Sequence, residues 1–167
     1  NLSAVKRGWE DRVMEFSPWA EKGQILKDTL LKLVDEDTRA FDTIMASFGL
    51  PKDTPEQKAA RKVAIQEASK YATAVPFRTM KVAYDCIPLL KEMAENGNPN
   101  SLSDVAVGAL CIKTAVRGAW FNVLINAKDL EDRPWAENIV REAQELLKKN
   151  HSECDAIVNS IESQLMS

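Results

Sequence analysis

At 167 residues, 45% hydrophobic and 28% charged, the chain has the size and make-up of one soluble globular domain with a real core. A net charge of -3 with no basic run argues against a nucleic-acid partner, no apolar segment is long enough to cross a bilayer, and the N-terminus does not read as a signal peptide. Cys86, Cys111 and Cys154 are far apart with no CxxC pair, and His151 is the only histidine, which speaks against structural zinc, a disulfide framework, a histidine metal site or a Ser-His-Asp triad and fits a reducing cytoplasm.

Residues 2–15 predict a first helical piece, and the lack of a capping signal before it suggests that the helix begins upstream of Asn1. Ser17 offers an N-cap with Pro18 at the first helical position, which predicts a helix over 18–48 ended by Gly49 and Pro51. Thr54, Pro55 and Gln57 repeat the start signal, Gln57 being placed for a capping box. The helical pattern then runs to about Glu95, with Pro76 and Pro88 each expected to kink or break it. Asn96-Gly97-Asn98-Pro99-Asn100 reads as a loop, and Ser101 with Asp104 predicts a capped helix reaching about Ala127. Asp132 and Pro134 open a last helix that runs to the C-terminus. No segment shows the alternating apolar pattern of a sheet, so the expected fold is all-α, an antiparallel bundle of long, proline-kinked helices forming one domain over 1–167.

Several polar residues interrupt this pattern. Leu26, Leu30, Leu33, Ala40, Phe41, Ile44 and Phe48 make an apolar stripe, and Asp37 completes its spacing between Leu33 and Phe41. A carboxylate there is either a structural acid bonded to a neighbouring helix or the lining of an internal pocket. Asp35, Glu36 and Asp42 lie off the stripe and read as solvated. Asp104 is either a capping acid or part of a polar recognition site where two hydroxyls, Ser101 and Ser103, meet a helix start. Asn122 and Asn126 share one helix face below the small residues Ala115, Gly118 and Ala119, and either bond across the bundle or hold a flat polar ligand. Trp9, Trp19, Trp120 and Trp135 read as core or interface anchors rather than ligand stackers. Lys6, Arg7, Lys113 and Arg117 are cations near these segments.

The strings DEDTRAFDTIMASFGLPKDTPEQKAAR, IQEASKYATAVPF, GNPNSLSDVAVGAL and GAWFNVLIN, in this order, make the chain resemble the cyclodeaminase and methenyltetrahydrofolate cyclohydrolase family, that of the C-terminal domain of formimidoyltransferase-cyclodeaminase. The resemblance runs from about Asn1 to Asn150. It implies an all-helical fold that dimerises, holds no cofactor and acts on one-carbon derivatives of tetrahydrofolate as substrate, with a formimidoyltransferase as a possible partner. The implied reaction is the cyclodeaminase step from 5-formiminotetrahydrofolate to 5,10-methenyltetrahydrofolate with loss of ammonia, with cyclohydrolase activity as the alternative. Carried onto this chain, the matching positions are Asp37, Ser103, Asp104, Asn122 and Asn126, together with Lys6. The expectation is that Asp37 or Asp104 transfers a proton while the other binds the pterin edge. Asn122 and Asn126 would complete the pterin or formimino contacts, and Lys6 and Arg117 would take the glutamate tail. Relatives also carry a segment resembling D-S-P-x-P-G-G-G-S ahead of the NLS position, and this chain starts after it. From a different class, a catalytically silent helical module that only dimerises or docks a transferase fits the same pattern.

Overall fold

The computed structural model of the protein describes residues 7–167, and the expected helical piece over 2–15 therefore lies partly outside the described residues, as does Lys6. Helix α1 spans Val13–Phe48, α2 Pro55–Tyr84, α3 Ile87–Asn96, α4 Leu102–Ala127 and α5 Arg133–Met166, with short 3-10 turns at Glu10–Arg12 and Pro99–Ser101 and no strand among the described residues. The all-α expectation holds.

Pairings fix the directions. Glu36 meets Arg78 and Phe48 meets Arg61, so α1 and α2 run antiparallel. Lys113 meets Asp155 and Arg117 meets His151, so α4 and α5 do too. Helix α2 is central and packs on α1, α4 and α5. One core cluster joins Phe77, Met80 and Ala83 to Val116, Trp120 and Val123 and to Ile139, Ala143 and Leu147. A second joins Ile87 of α3 to Val105 and Ala109 of α4 and Cys154, Ile157 and Ile161 of α5.

Several start signals act as expected. Thr54 accepts from the Gln57 amide at 3.2 Å while the Gln57 side chain accepts from the Thr54 amide, a complete capping box. Asp132 accepts from the Trp135 amide and caps α5. Ser17 does not cap. Helix α1 passes through it unbroken from Val13, and the Ser17 hydroxyl donates back to the Val13 carbonyl at 2.7 Å. Pro18 is tolerated because the carbonyl it leaves without a helical donor belongs to Met14, an exposed residue in the first turn. No side chain caps α4 either, so the expected Ser101–Asp104 box is absent. The chain instead turns through Asn98, whose side-chain oxygen accepts from the Asn100 amide at 3.1 Å.

The two inner prolines behave differently. At Pro88 the path does break, because α2 ends at Tyr84 and Pro88 lies in the first turn of α3, where a missing N–H costs nothing. Pro76 is buried inside α2 and does not end it. A proline at 76 deprives the carbonyl of Ala72, four residues earlier, of its helical donor. Asn126 of α4 supplies a replacement, its Nδ2 donating to the Ala72 oxygen at 2.7 Å. An amide in α4 thus repairs the proline defect in α2.

A double-mutant cycle tests this repair. Asn126→Ala in the wild-type background should cost about 1–3 kcal/mol, because it strands a buried carbonyl. In a Pro76→Ala background residue 76 regains its N–H, and the same Asn126→Ala change should cost about 1 kcal/mol less or better. Equal costs in the two backgrounds, read from denaturant unfolding, would show that Asn126 does not serve the proline.

Candidate functional site

A cavity of about 410 Å³ opens at the end of the bundle where the start of α1, α3 and the start of α4 meet. That volume is in the range of small-molecule sites. Phe16, Trp19 and Gly23 of α1 form one wall and Leu89, Leu90 and Met93 of α3 another. Asn98, Ser101 and Asp104 bring the polar groups to it. The cavity is therefore an apolar slot with an aromatic wall and one carboxylate.

Local sequence explains its shape. Ala20 and Gly23 keep α1 slim where it faces α3, and a Cβ on Gly23 would stand 3.2 Å from the Leu89 side chain. Gly97 turns the chain from α3 toward Asn98 so tightly that a Cβ there would lie 2.4 Å from the Met93 carbonyl oxygen, so only glycine fits. Arg12 ties the start of α1 to the end of α3. Its guanidinium lies over the rings of Trp9 and Phe16, which stack at 5.8 Å, pairs with Glu15, and donates to the Asn96 carbonyl at 3.3 Å. Lys22 stands over Trp19 with its Nζ 5.5 Å from the ring centre. Asp104 sits in the first turn of α4, which has no side-chain cap, so the positive end of that helix borders the cavity.

The other expected site residues fall elsewhere. Asp37 is exposed and is not among the residues that line the Asp104 cavity. The acid on the packed flank is Glu36, which was expected to be solvated. Its carboxylate accepts from Arg78 at 2.7 and 2.8 Å and from the Tyr71 hydroxyl at 2.7 Å, and only 17% of its side chain is exposed. Arg78, then Tyr71, hold it below the usual carboxylate range, and the same bond raises the Tyr71 hydroxyl. The cause of the exchange is helix drift: Leu33 and Ala40 are the buried pair, and 36 and 37 flank the line between them on opposite sides. Phe41 and Phe48 are 61% and 51% exposed and belong to a second, outward stripe.

Asn126 is committed to Ala72, while Asn122 is exposed. Both lie far down α4 from Asp104, about 33 Å for Asn126 at 1.5 Å per residue. Asp37 is likewise about 21 Å along α1 from Gly23. One subunit therefore does not gather Asp37, Asp104 and Asn126 around one ligand. Ser103 is exposed beside Asp104. Arg117 faces His151, its Nη2 standing 3.2 Å from Nδ1. Burial, then Arg117 and Lys113, push the His151 imidazole below its ordinary value. Burial also raises the Cys154 thiol to about 11. Among the four tryptophans Trp120 is core, as expected, whereas Trp19 lines the cavity. The reading of Trp19 as an anchor rather than a ligand stacker thus does not fit its place in the cavity wall, and Phe16 and Asn98 carry no sequence signal of their own beyond the Gly97-Asn98-Pro99 turn. No group of three or more His, Cys, Asp or Glu side chains suited to a metal occurs among the described residues. No helix there is long and apolar enough to cross a membrane.

Fold and cavity together define an all-helical bundle with a small-molecule slot and one acid at its polar edge. The formiminotransferase-cyclodeaminase family model matches residues 1–145, and the chain belongs to that family. It is 37% identical over 165 residues to a methenyltetrahydrofolate cyclohydrolase of Methylorubrum extorquens, covering 99% of this chain and 79% of that protein. It is 38% identical over 134 residues to the formimidoyltransferase-cyclodeaminase of Rattus norvegicus, covering 80% of this chain but only 25% of the rat protein. A crystal structure of formiminotetrahydrofolate cyclodeaminase from Thermotoga maritima superposes with a TM-score of 0.76 at 25% identity, covering 96% of this chain and 78% of that one.

Proposed function

We propose that the chain interconverts one-carbon derivatives of tetrahydrofolate, and that it does so as a formimidoyltetrahydrofolate cyclodeaminase. The observation that carries the reading is Asp104, in a string of the family type, lining the one-acid cavity described above. A reduced pterin is a flat ring with a polar edge. The Trp19 and Phe16 side suits its face, and Asn98, Ser101 and the start of α4 suit its edge. In the reaction the N10 amine attacks the carbon of the protonated formimino group on N5 and forms a tetrahedral carbon. Asp104 accepts the N10 proton and passes it to the departing nitrogen, which leaves as ammonia. The positive charge stays on the 5,10-methenyl product, so atoms and charge balance.

The runner-up is cyclohydrolase activity, in which water adds to the methenyl carbon and the ring opens to 10-formyltetrahydrofolate. It is favoured by the match to the Methylorubrum cyclohydrolase, which takes in 99% of this chain. Both reactions use the same proton relay. Incubation with 5-formiminotetrahydrofolate should release ammonia in step with methenyl product. Turnover of the methenyl compound alone would move the assignment to the cyclohydrolase. No turnover of either, with no rise in melting temperature under 5-formyltetrahydrofolate, would leave the silent helical module. A ligand at about 100 times its Kd should instead stabilise the fold by roughly 2.7 kcal/mol.

We also propose that the chain works as a homodimer. Leu31, Val34, Phe41, Met45 and Phe48 are exposed at spacings of three, seven, four and three residues along α1, which put them on one face, an apolar stripe that a second copy can cover. Pairing of subunits is also the arrangement by which Asp37 or Asn122 would reach the Asp104 cavity. Sedimentation should give a dimer, and Phe41→Asp with Phe48→Asp should give a folded monomer. A wild-type monomer at micromolar concentration would refute the pairing.

A further inference from the structure

A second concave site lies at the other end of the bundle, and its chemistry is the opposite of the first. A groove of about 350 Å³ is lined by Lys52, Lys58, Arg61, Lys62, Ile65 and Gln66. Four of these six side chains are cationic and none is acidic, in a chain whose net charge is -3. Lys58, Arg61 and Lys62 share a face of α2 at three- and four-residue spacing, and Lys52 joins them from the α1–α2 link. Like charges brought this close repel unless an anion lies between them.

The groove is also built rather than loose. The Nε and Nη2 atoms of Arg61 donate to the Phe48 carbonyl at 3.3 and 3.1 Å, and its guanidinium carbon lies 5.8 Å from the Phe48 ring centre. That fixes the fork while Nη1 donates to no described residue. Gln66 pins the groove to the α4–α5 link, accepting from the Glu131 amide at 2.8 Å and donating to the Asp129 carbonyl at 3.2 Å. Lys62 pairs with Glu131 at 2.8 Å, but both side chains are more than half exposed, so the pair is easily exchanged. Lys52 and Lys58 form no ion pair with a described residue.

We propose that this groove binds a small multivalent anion, a compound carrying several phosphate or carboxylate charges. The fixed guanidinium supplies directional donors, and the lysines supply point charge. The site is separate from the Asp104 cavity: Gly23 of that cavity and Phe48 of this groove stand about 37 Å apart along α1. The proposal therefore does not depend on the folate reading.

The test is titration of the purified protein with inorganic tripolyphosphate and, in parallel, with citrate, by calorimetry at low salt. Saturable binding of at least one of them is expected, weakening at least tenfold in Lys52→Glu/Lys58→Glu and falling steeply as salt rises. Which of the two binds tells the phosphate source from the carboxylate source. The control Lys148→Glu/Lys149→Glu, on exposed positions of α5, should bind as wild type with an unchanged melting temperature. Absence of binding by both anions, or equal weakening in the control and the groove variant, would overturn the proposal.

Discussion

A single interhelical hydrogen bond, from Asn126 in α4 to the Ala72 carbonyl in α2, is the constraint on which much of this fold depends. Helix α2 is the element that touches α1, α4 and α5, and a buried proline in its middle leaves it with an unpaired carbonyl. Water cannot easily satisfy that carbonyl in the core. The amide that does so also sets where α4 stands along α2. Once that register is fixed, the start of α4 lands against α3 and the first turns of α1. The cavity with Asp104 is formed at that place.

The polar residues that interrupt apolar patterns thus divide into two kinds. Asn126 and Glu36 serve the packing, one against a proline carbonyl and the other against Arg78 and Tyr71. Asp104 meets no such partner and borders a slot instead. The two ends of the bundle differ in the same way. One is an apolar slot with a single acid, suited to a flat ring. The other is a groove ringed by cations.

Much of the fold is legible in the chain. Thr54 with Gln57 and Asp132 with Trp135 declare their helix starts by local chemistry, because a cap needs only neighbours. Ser17-Pro18 carries the same local signal, yet α1 runs through it, because an exposed first turn tolerates the lost bond. The choice between Glu36 and Asp37 is not legible, since both lie one turn from Leu33 and only the place of α2 selects between them. Phe41 and Phe48 look like core by type, but they form their own stripe about a third of a turn away. Asp104 was legible as a candidate, whereas Trp19 and Phe16 were not, because their role depends on the crossing of α1 with α3. The basic groove is not legible for a similar reason: its cations are spread over eleven positions and converge only through the helical period and the α1–α2 turn.

The assignment of proton transfer to Asp104 is tested most directly by Asp104→Asn, a near-isosteric change at an exposed first-turn position with no cap to lose. Turnover of 5-formiminotetrahydrofolate should fall by about 100-fold or more, with the melting temperature kept and 5-formyltetrahydrofolate still bound within a few-fold of wild type. A variant that turns over at the wild-type rate would contradict the account, because the acid at the cavity would then have no part in the chemistry.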